Sequence, residues 1–270
     1  MFPYEKYLRR NRLPHIWCTG CGCGIILKAM LRAIEHCNIP KDRIALVSGI
    51  GCSSRTPGYV DFNTLHTTHG RALAFATGLK LAKPELKILV VTGDGDATAI
   101  GGNHFIHAAR RNLDMTVLLY NNHIYGMTGG QVSPTTPQGK KGSTAPYGSM
   151  EPSFDISGLA IAAGASFVVR TTCYHAVQLG KFIEKSLTKK GFSLIEVLTQ
   201  CPTYYARPNR LGTVVDMLRW YKENSIPAER ARKMDETEKA GKIVVGVLHD
   251  VERTEFCEEY YKLIDRVRKE

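Results

Sequence analysis

Two hundred and seventy residues, 43% hydrophobic and 23% charged, give a chain that can bury a real core as one large domain or two small ones, and is no disordered polymer. Lysine plus arginine exceed aspartate plus glutamate by 36 − 25 = 11, and the pI is near 9.3. No apolar run reaches the roughly 18 residues of a membrane span, and the start, charged from Glu5 onward, lacks the apolar stretch of a signal peptide; a cytoplasmic protein is expected. The basic residues are spread in short pairs such as Arg9-Arg10 and Lys189-Lys190. That pattern argues against a nucleic-acid binder and fits an acidic protein partner or a multiply phosphorylated ligand.

Residues 1–17 read as an extended leader, with Pro14 against a continuous helix. Apolar residues from Gly24 to Cys37 recur every three or four positions, which predicts a helix. Ile44–Ser48 reads as a buried strand, Arg71–Lys83 as a helix stopped by Pro84, and Lys87–Thr92 as the strongest strand. A helix through His104–Arg110 and a strand at Met115–Tyr120 follow. Residues 126–152 form a long Gly-, Pro-, Ser- and Thr-rich loop, of a length usually kept for function. Helix and strand then alternate through Ile156–Ala163, Ser166–Val169, His175–Leu187 and Phe192–Leu198. Short apolar strands between helices predict an α/β fold: a mostly parallel, doubly wound sheet covered on both faces. Past Cys201 the chain turns polar, and a last helix carries Phe256, Tyr260, Ile264 and Val267. The expected division is an α/β domain over 1–201 and a C-terminal arm over 202–270, packed on the body or on a partner.

In an open parallel sheet, ligands bind beyond the carboxyl ends of the strands. Three strands here end in unusual residues: Gly49-Ile-Gly-Cys52, Gly93-Asp-Gly-Asp96 and Asn121-Asn122. Glycines let the backbone turn sharply and approach a ligand. Asp94 offers a carboxylate and Asn122 an amide oxygen 28 residues on (122 − 94), the length of a crossover between neighbouring strands. A carboxylate, an amide oxygen and a backbone carbonyl beside phosphate oxygens are what Mg²⁺ asks for, and a glycine turn feeding a helix supplies N–H groups for the phosphates.

Gly93-Asp94-Gly95 followed by Asn121-Asn122 resembles the motif of enzymes that use thiamine diphosphate. Trp17-Cys-Thr-Gly-Cys-Gly22, Gly49-Ile-Gly-Cys-Ser53, His66-Thr-Thr-His-Gly-Arg71, Ile100-Gly-Gly-Asn-His104 and Ile124–Gln131 narrow the resemblance to the β subunits of 2-oxoacid:ferredoxin oxidoreductases. Ser133-Pro-Thr-Thr-Pro-Gln138 points to the 2-oxoglutarate branch, and the likeness covers essentially the whole chain. It implies Asp94, Asn122 and the backbone oxygen of Ile124 as Mg²⁺ ligands. It implies diphosphate or thiazole contacts from Ile50, Gly51, Cys52, Ser53, His69, Gly95, Asp96, Gly126, Met127 and Thr128, with His69 also a candidate catalytic group. The implied reaction is oxidative decarboxylation of a 2-oxoacid to acyl-coenzyme A, with electrons leaving to ferredoxin.

Cys18 and Cys21 allow three readings: a redox pair, a structural zinc site or an iron–sulfur cluster. The segment before them, Arg9-Arg-Asn-Arg-Leu-Pro-His15, cannot serve as the central strand a thioredoxin-like pair follows. Cys52 at a strand end and Cys201 after the last strand can add a third and a fourth thiolate. A cluster beside an electron-generating coenzyme makes chemical sense, and zinc has no redox use there. In the family these four positions hold a [4Fe–4S] cluster, although Cys23 departs from the commoner residue and contests Cys21. Arg55, three residues past Cys52, is a candidate for the second carboxylate of 2-oxoglutarate. The glutamate that activates the coenzyme in such enzymes belongs to a second α/β module, which the 69 residues after Cys201 (270 − 201) cannot hold. A separate α subunit is therefore expected. The rival readings are a sister enzyme for pyruvate or branched-chain 2-oxoacids, a non-redox thiamine enzyme, and a zinc- or cluster-bearing nucleotide-binding scaffold.

Overall fold

The computed structural model describes residues 2–270. After the leader come α1 (Cys23–His36), β1 (Ile44–Ser48), β2 (Asn63–His66), α2 (Ala72–Ala82), β3 (Lys87–Gly93), α3 (Gly102–Arg110) and β4 (Met115–Asn121). A two-stranded ribbon of β5 (Ile124–Tyr125) and β6 (Gln131–Val132) opens the long loop. The chain continues through α4 (Ile156–Ala163), β7 (Phe167–Thr172), α5 (Ala176–Thr188) and β8 (Phe192–Leu198). It closes with α6 (Val214–Asn224), β9 (Ser225–Pro227), α7 (Ala228–Ala231), α8 (Glu236–Lys239), β10 (Ile243–Asp250) and α9 (Phe256–Val267).

Eight strands form one sheet in the order β2-β1-β3-β4-β8-β7-β10-β9, parallel except where β10 runs against β7. Alternate residues of the central strands serve opposite faces, as strand geometry requires. Leu46, Leu89, Val91, Leu118, Tyr120 and Ile195 pack with α1 and α5. Val47, Val90, Val117, Leu119 and Leu194 pack with α2, α3 and α4. Both faces being covered explains why these strands read as continuous apolar runs.

Residues 202–270, expected as a C-terminal arm packed on the body or on a partner, lie against the body. They supply β9 and β10 to the main sheet, and Cys257 of α9 lies in the second core layer. Position 201 is thus no boundary of the sheet. Among the described residues no helix is long and apolar enough to cross a membrane.

The chain goes from β1 outward to β2, then returns past β1 to β3 and β4. The order therefore reverses between β1 and β3, where the loops part and leave a crevice beyond the strand ends.

Candidate active site

A cleft of about 110 Å³ occupies that crevice. Ile50, Gly51, Cys52 and Ser53 enter it from the end of β1, and Asp94, Gly95 and Asp96 from the end of β3. Asn122, Ile124, Gly126, Met127 and Thr128 enter from β4 and the ribbon, and His69 from the loop before α2. All the residues named above for the coenzyme and Mg²⁺ thus border one space. Gly93 and Cys23 also line it, as do Tyr120 and Tyr125, which had not been singled out. Arg55 does not: it lies one helical turn beyond Cys52, with its N–H on the Cys52 carbonyl, and its side chain is exposed.

Glycine is required where the backbone is crowded. A Cβ on Gly49 would stand 2.1 Å from an Asp96 oxygen, and one on Gly95 would stand 2.2 Å from the Tyr125 ring. Gly95 leads into a helical turn of π type over Asp96–Ile100, which runs on into α3, so the cleft abuts a helix start.

Asp94 is 3% exposed. Its Oδ2 accepts from the Ser133 hydroxyl at 2.5 Å and the Thr135 hydroxyl at 2.6 Å. Burial raises its carboxyl above the usual range, and those two hydroxyls offset part of the rise. Among the described residues its Oδ1 takes no hydrogen bond, which leaves a hard oxygen for a cation. Asn122 Oδ1 accepts only from the Ile124 N–H, at 3.1 Å, and keeps a lone pair. Ser53 Oγ is buried with no hydrogen-bond partner among the described residues. A hydroxyl at the rim of this cleft is a donor for a phosphate oxygen.

Asp96 lines the cleft and its carboxylate is bonded within the protein. Its Oδ1 accepts from the Gly70 N–H at 2.7 Å, the Ile50 N–H at 3.2 Å and His69 Nδ1 at 2.5 Å, and its Oδ2 accepts from Thr92 at 2.6 Å. The carboxylate ties three loops together, so it shapes the cleft more than it offers an atom to a ligand. Because a carboxylate only accepts, His69 Nδ1 is the donor to Asp96, which leaves Nε2 as the ring's other nitrogen.

Below the cleft, the register of β7 and β8 sets Arg170 beside Glu196. Glu196, 2% exposed, accepts from Arg170 Nε at 2.8 Å, Ser157 at 2.6 Å and Asn121 Nδ2 at 2.8 Å. Asn121 Oδ1 in turn accepts from Thr135 at 2.9 Å. A polar chain thus runs from Arg170 through Glu196, Asn121 and Thr135 to Asp94. Sequence reading missed Arg170 and Glu196, and met Asn121 and Thr135 only as members of motifs.

The cysteine-bearing segments are laced together. Trp17 Nε1 donates to the Cys52 carbonyl at 2.7 Å, Gln200 Nε2 to the Gly20 carbonyl at 3.1 Å, and the Cys21 N–H to the Cys18 carbonyl at 3.0 Å. A Cβ on Gly126 would lie 3.4 Å from Cys52 Sγ and 3.6 Å from Cys201 Sγ. Burial pushes the Cys52 thiol up to about 12, and Cys21, Cys201 and Cys18 add to the rise, so all four sulfurs lie within electrostatic reach. Cys21 is held down to about 7, chiefly by the neighbouring Cys23. Cys23, 1% exposed, supports Cys21 from the first turn of α1. Among the described residues no three His, Cys, Asp or Glu side chains close on a single metal-ion position.

Residues 49–197 match the family described as thiamine pyrophosphate enzyme, C-terminal TPP binding domain. The 2-oxoglutarate synthase subunit KorB of Methanocaldococcus jannaschii is 58% identical over all of both chains. That of Archaeoglobus fulgidus is 51% identical over 98% of this chain and 96% of its own. Among solved structures, the 2-oxoglutarate:ferredoxin oxidoreductase from Magnetococcus marinus, with 2-oxoglutarate, coenzyme A and succinyl-CoA bound, aligns with a TM-score of 0.87 at 33% identity, covering 99% of this chain and 91% of that one. The chain belongs to the thiamine pyrophosphate enzymes and, within them, to the β subunits of the 2-oxoacid:ferredoxin oxidoreductases.

Proposed function

We propose that this chain is the coenzyme-binding subunit of an enzyme that converts 2-oxoglutarate and coenzyme A to succinyl-coenzyme A and carbon dioxide, passing two electrons to ferredoxin. The observation that carries the reading is one cleft at the sheet's reversal point, bordered by Asp94, Asn122, Ile124, Ser53 and His69 and flanked by four laced cysteines. Bound thiamine diphosphate supplies a nucleophilic carbon and an electron sink for decarboxylation, and a cluster takes the electrons one at a time.

The chain's own residues then have these tasks. Asp94 Oδ1, Asn122 Oδ1 and the Ile124 carbonyl are the oxygens for Mg²⁺, a donor set that suits a hard ion shared with phosphate oxygens. Ser133 and Thr135 aim the Asp94 carboxylate. Ser53 and the N–H groups at Gly95 face the diphosphate, while Ile50, Gly51, Gly126, Met127 and Thr128 wall the thiazole end. His69, fixed by Asp96 at Nδ1, presents Nε2 as the atom that holds or accepts a proton. Arg55, exposed and without an ion pair among the described residues, is the cation for the distal carboxylate of the substrate. Cys18, Cys21, Cys52 and Cys201 are the ligands of a [4Fe–4S] cluster. Each thiolate of a cubane binds its own iron corner, so the sulfurs need not meet on one point as on zinc.

Co-expression with a subunit carrying the missing aminopyrimidine-binding module, followed by anaerobic purification, tests this reading. The complex is expected to hold thiamine diphosphate and about four irons per copy of this chain, and to reduce a viologen dye with 2-oxoglutarate and coenzyme A. The isolated chain is expected to give no turnover. Robust turnover by the chain alone, or a complex that prefers pyruvate, would overturn the corresponding part.

A further inference from the structure

A second, larger opening of about 490 Å³ lies between α1 and α5, on the sheet face away from α2 and α3. Lys28 and Arg32 border it from α1 and Lys181 from α5. All three are exposed, and none has a carboxylate within ion-pair reach among the described residues. The one acidic residue in the lining, Glu184, is taken by His36 at 2.8 Å. Lys28 and Arg32 stand four residues apart on one helix face, where like charges repel. Both sit over the Tyr4 ring, 5.6 and 5.7 Å from its centre, which orders them without neutralising them.

The groove also reaches the cysteine loop. At its floor the Cys173 thiol donates to the Gly22 carbonyl at 3.6 Å and to Thr199 at 3.0 Å. Gly22 stands between Cys21 and Cys23, and Cys23 borders the coenzyme cleft on the other side. The same short loop therefore separates cleft from groove. Val177, 71% exposed, offers an apolar contact at the start of α5, beside Cys173.

We infer that this groove is the docking surface for the electron acceptor, a small acidic ferredoxin. The inference rests on the reading that Cys18, Cys21, Cys52 and Cys201 carry the cluster. Three unpaired cations supply charge complementarity to an acidic protein, and the chain's net +11 steers it from a distance. A carrier seated there lies against the Cys21–Cys23 loop yet outside the cleft, so 2-oxoglutarate and the acceptor approach that loop from opposite sides.

The test is binding, measured on the assembled complex with oxidised ferredoxin by biolayer interferometry over a series of salt concentrations. A double variant, Lys28→Glu with Arg32→Glu, and a single variant, Lys181→Glu, are compared with Lys83→Glu beyond α2 on the other face. The double variant is expected to weaken Kd by about tenfold at low salt and to flatten its salt dependence. Lys83→Glu is expected to bind as the wild type, and 2-oxoglutarate-dependent dye reduction is expected to persist in every variant. Unchanged affinity in the groove variants would overturn the inference. So would an equal loss in Lys83→Glu, or failure of the groove variants to co-purify with the partner subunit, which would make the groove a subunit seam. Absence of dye reduction in the wild-type complex would count against the enzymatic reading alone, because binding is scored without turnover.

Discussion

Glu196 and Arg170 lie side by side on adjoining strands, carboxylate Oε2 to guanidinium Nε at 2.8 Å, beneath the loop that holds Asp94. Burial alone would lift the Glu196 carboxyl. The Arg170 charge and the hydrogen bonds from Ser157, Arg170 and Asn121 outweigh it, so the group sits below the usual range. A carboxyl with a depressed folded-state pKa contributes stability that is present above its unfolded value, about 4.3. That contribution is lost as pH falls through the lower folded value. Glu196→Gln removes one partner of a buried pair and is expected to cost about 3 kcal/mol in denaturant unfolding near neutral pH. The loss should shrink as the pH drops below 4, since the wild type then forfeits the same interaction. An equal deficit at pH 7 and pH 3 would contradict this account.

Ser133 and Thr135 bond the same oxygen of Asp94. Partners that orient a metal ligand are commonly worth 10- to 100-fold in metal affinity. The double variant Ser133→Ala with Thr135→Val is therefore expected to weaken Mg²⁺-dependent binding of thiamine diphosphate by about tenfold or more, read by titration calorimetry. Asp94→Asn should abolish the Mg²⁺ dependence while leaving the apo chain at least as stable, because it removes a buried carboxylate whose charged form is disfavoured.

The sheet's centre was legible because β1, β3, β4 and β8 are apolar runs of five to seven residues, each ended by a glycine or polar turn. Their ends named the cleft, since a doubly wound sheet leaves few other places for a ligand. β2, with the half-polar sequence Asn-Thr-Leu-His, gave no such signal. β10 pairs with β7 across a long, polar stretch of chain, so 202–270 read as an appendage. Glu196 was invisible for a related reason. It interrupts an apolar strand, and its partners Arg170, Ser157 and Asn121 stand 26, 39 and 75 residues away. Only folding brings such a set together. Asp96 was named through the resemblance alone; besides Thr92, its carboxylate bonds backbone N–H groups and His69 on segments 26 to 46 residues away, which could not be read from the sequence.

The cysteines separate by role. Serine at Cys18, Cys21, Cys52 or Cys201 is expected to lower iron content and visible absorbance of the anaerobically purified complex. Serine at Cys23 should leave iron unchanged, because that thiol opens α1 and is buried in the core layer beneath it. Loss of iron in Cys23→Ser together with full retention in Cys21→Ser would exchange the two assignments.

Arg55 lies outside the lining of the cleft, so its part in selectivity depends on where a substrate's far carboxylate comes to rest. The 2-oxoacid carbon reacts beside Cys52 and Ser53 if the coenzyme lies as proposed, and a dicarboxylate reaches further along the turn than pyruvate does. The exposed guanidinium one turn beyond Cys52 is then the first cation met along that turn. A charge-assisted bond to a carboxylate at such a partly solvated site is worth about 1.5 kcal/mol, or about tenfold in affinity. Arg55→Ala is accordingly expected to raise KM for 2-oxoglutarate about tenfold, with kcat and the slow turnover of pyruvate little changed. Arg55→Lys should recover part of the loss, because charge returns without the bidentate fork. An equal loss on both substrates, or no loss on either, would remove Arg55 from the binding of substrate and leave it as a contact for the partner subunit.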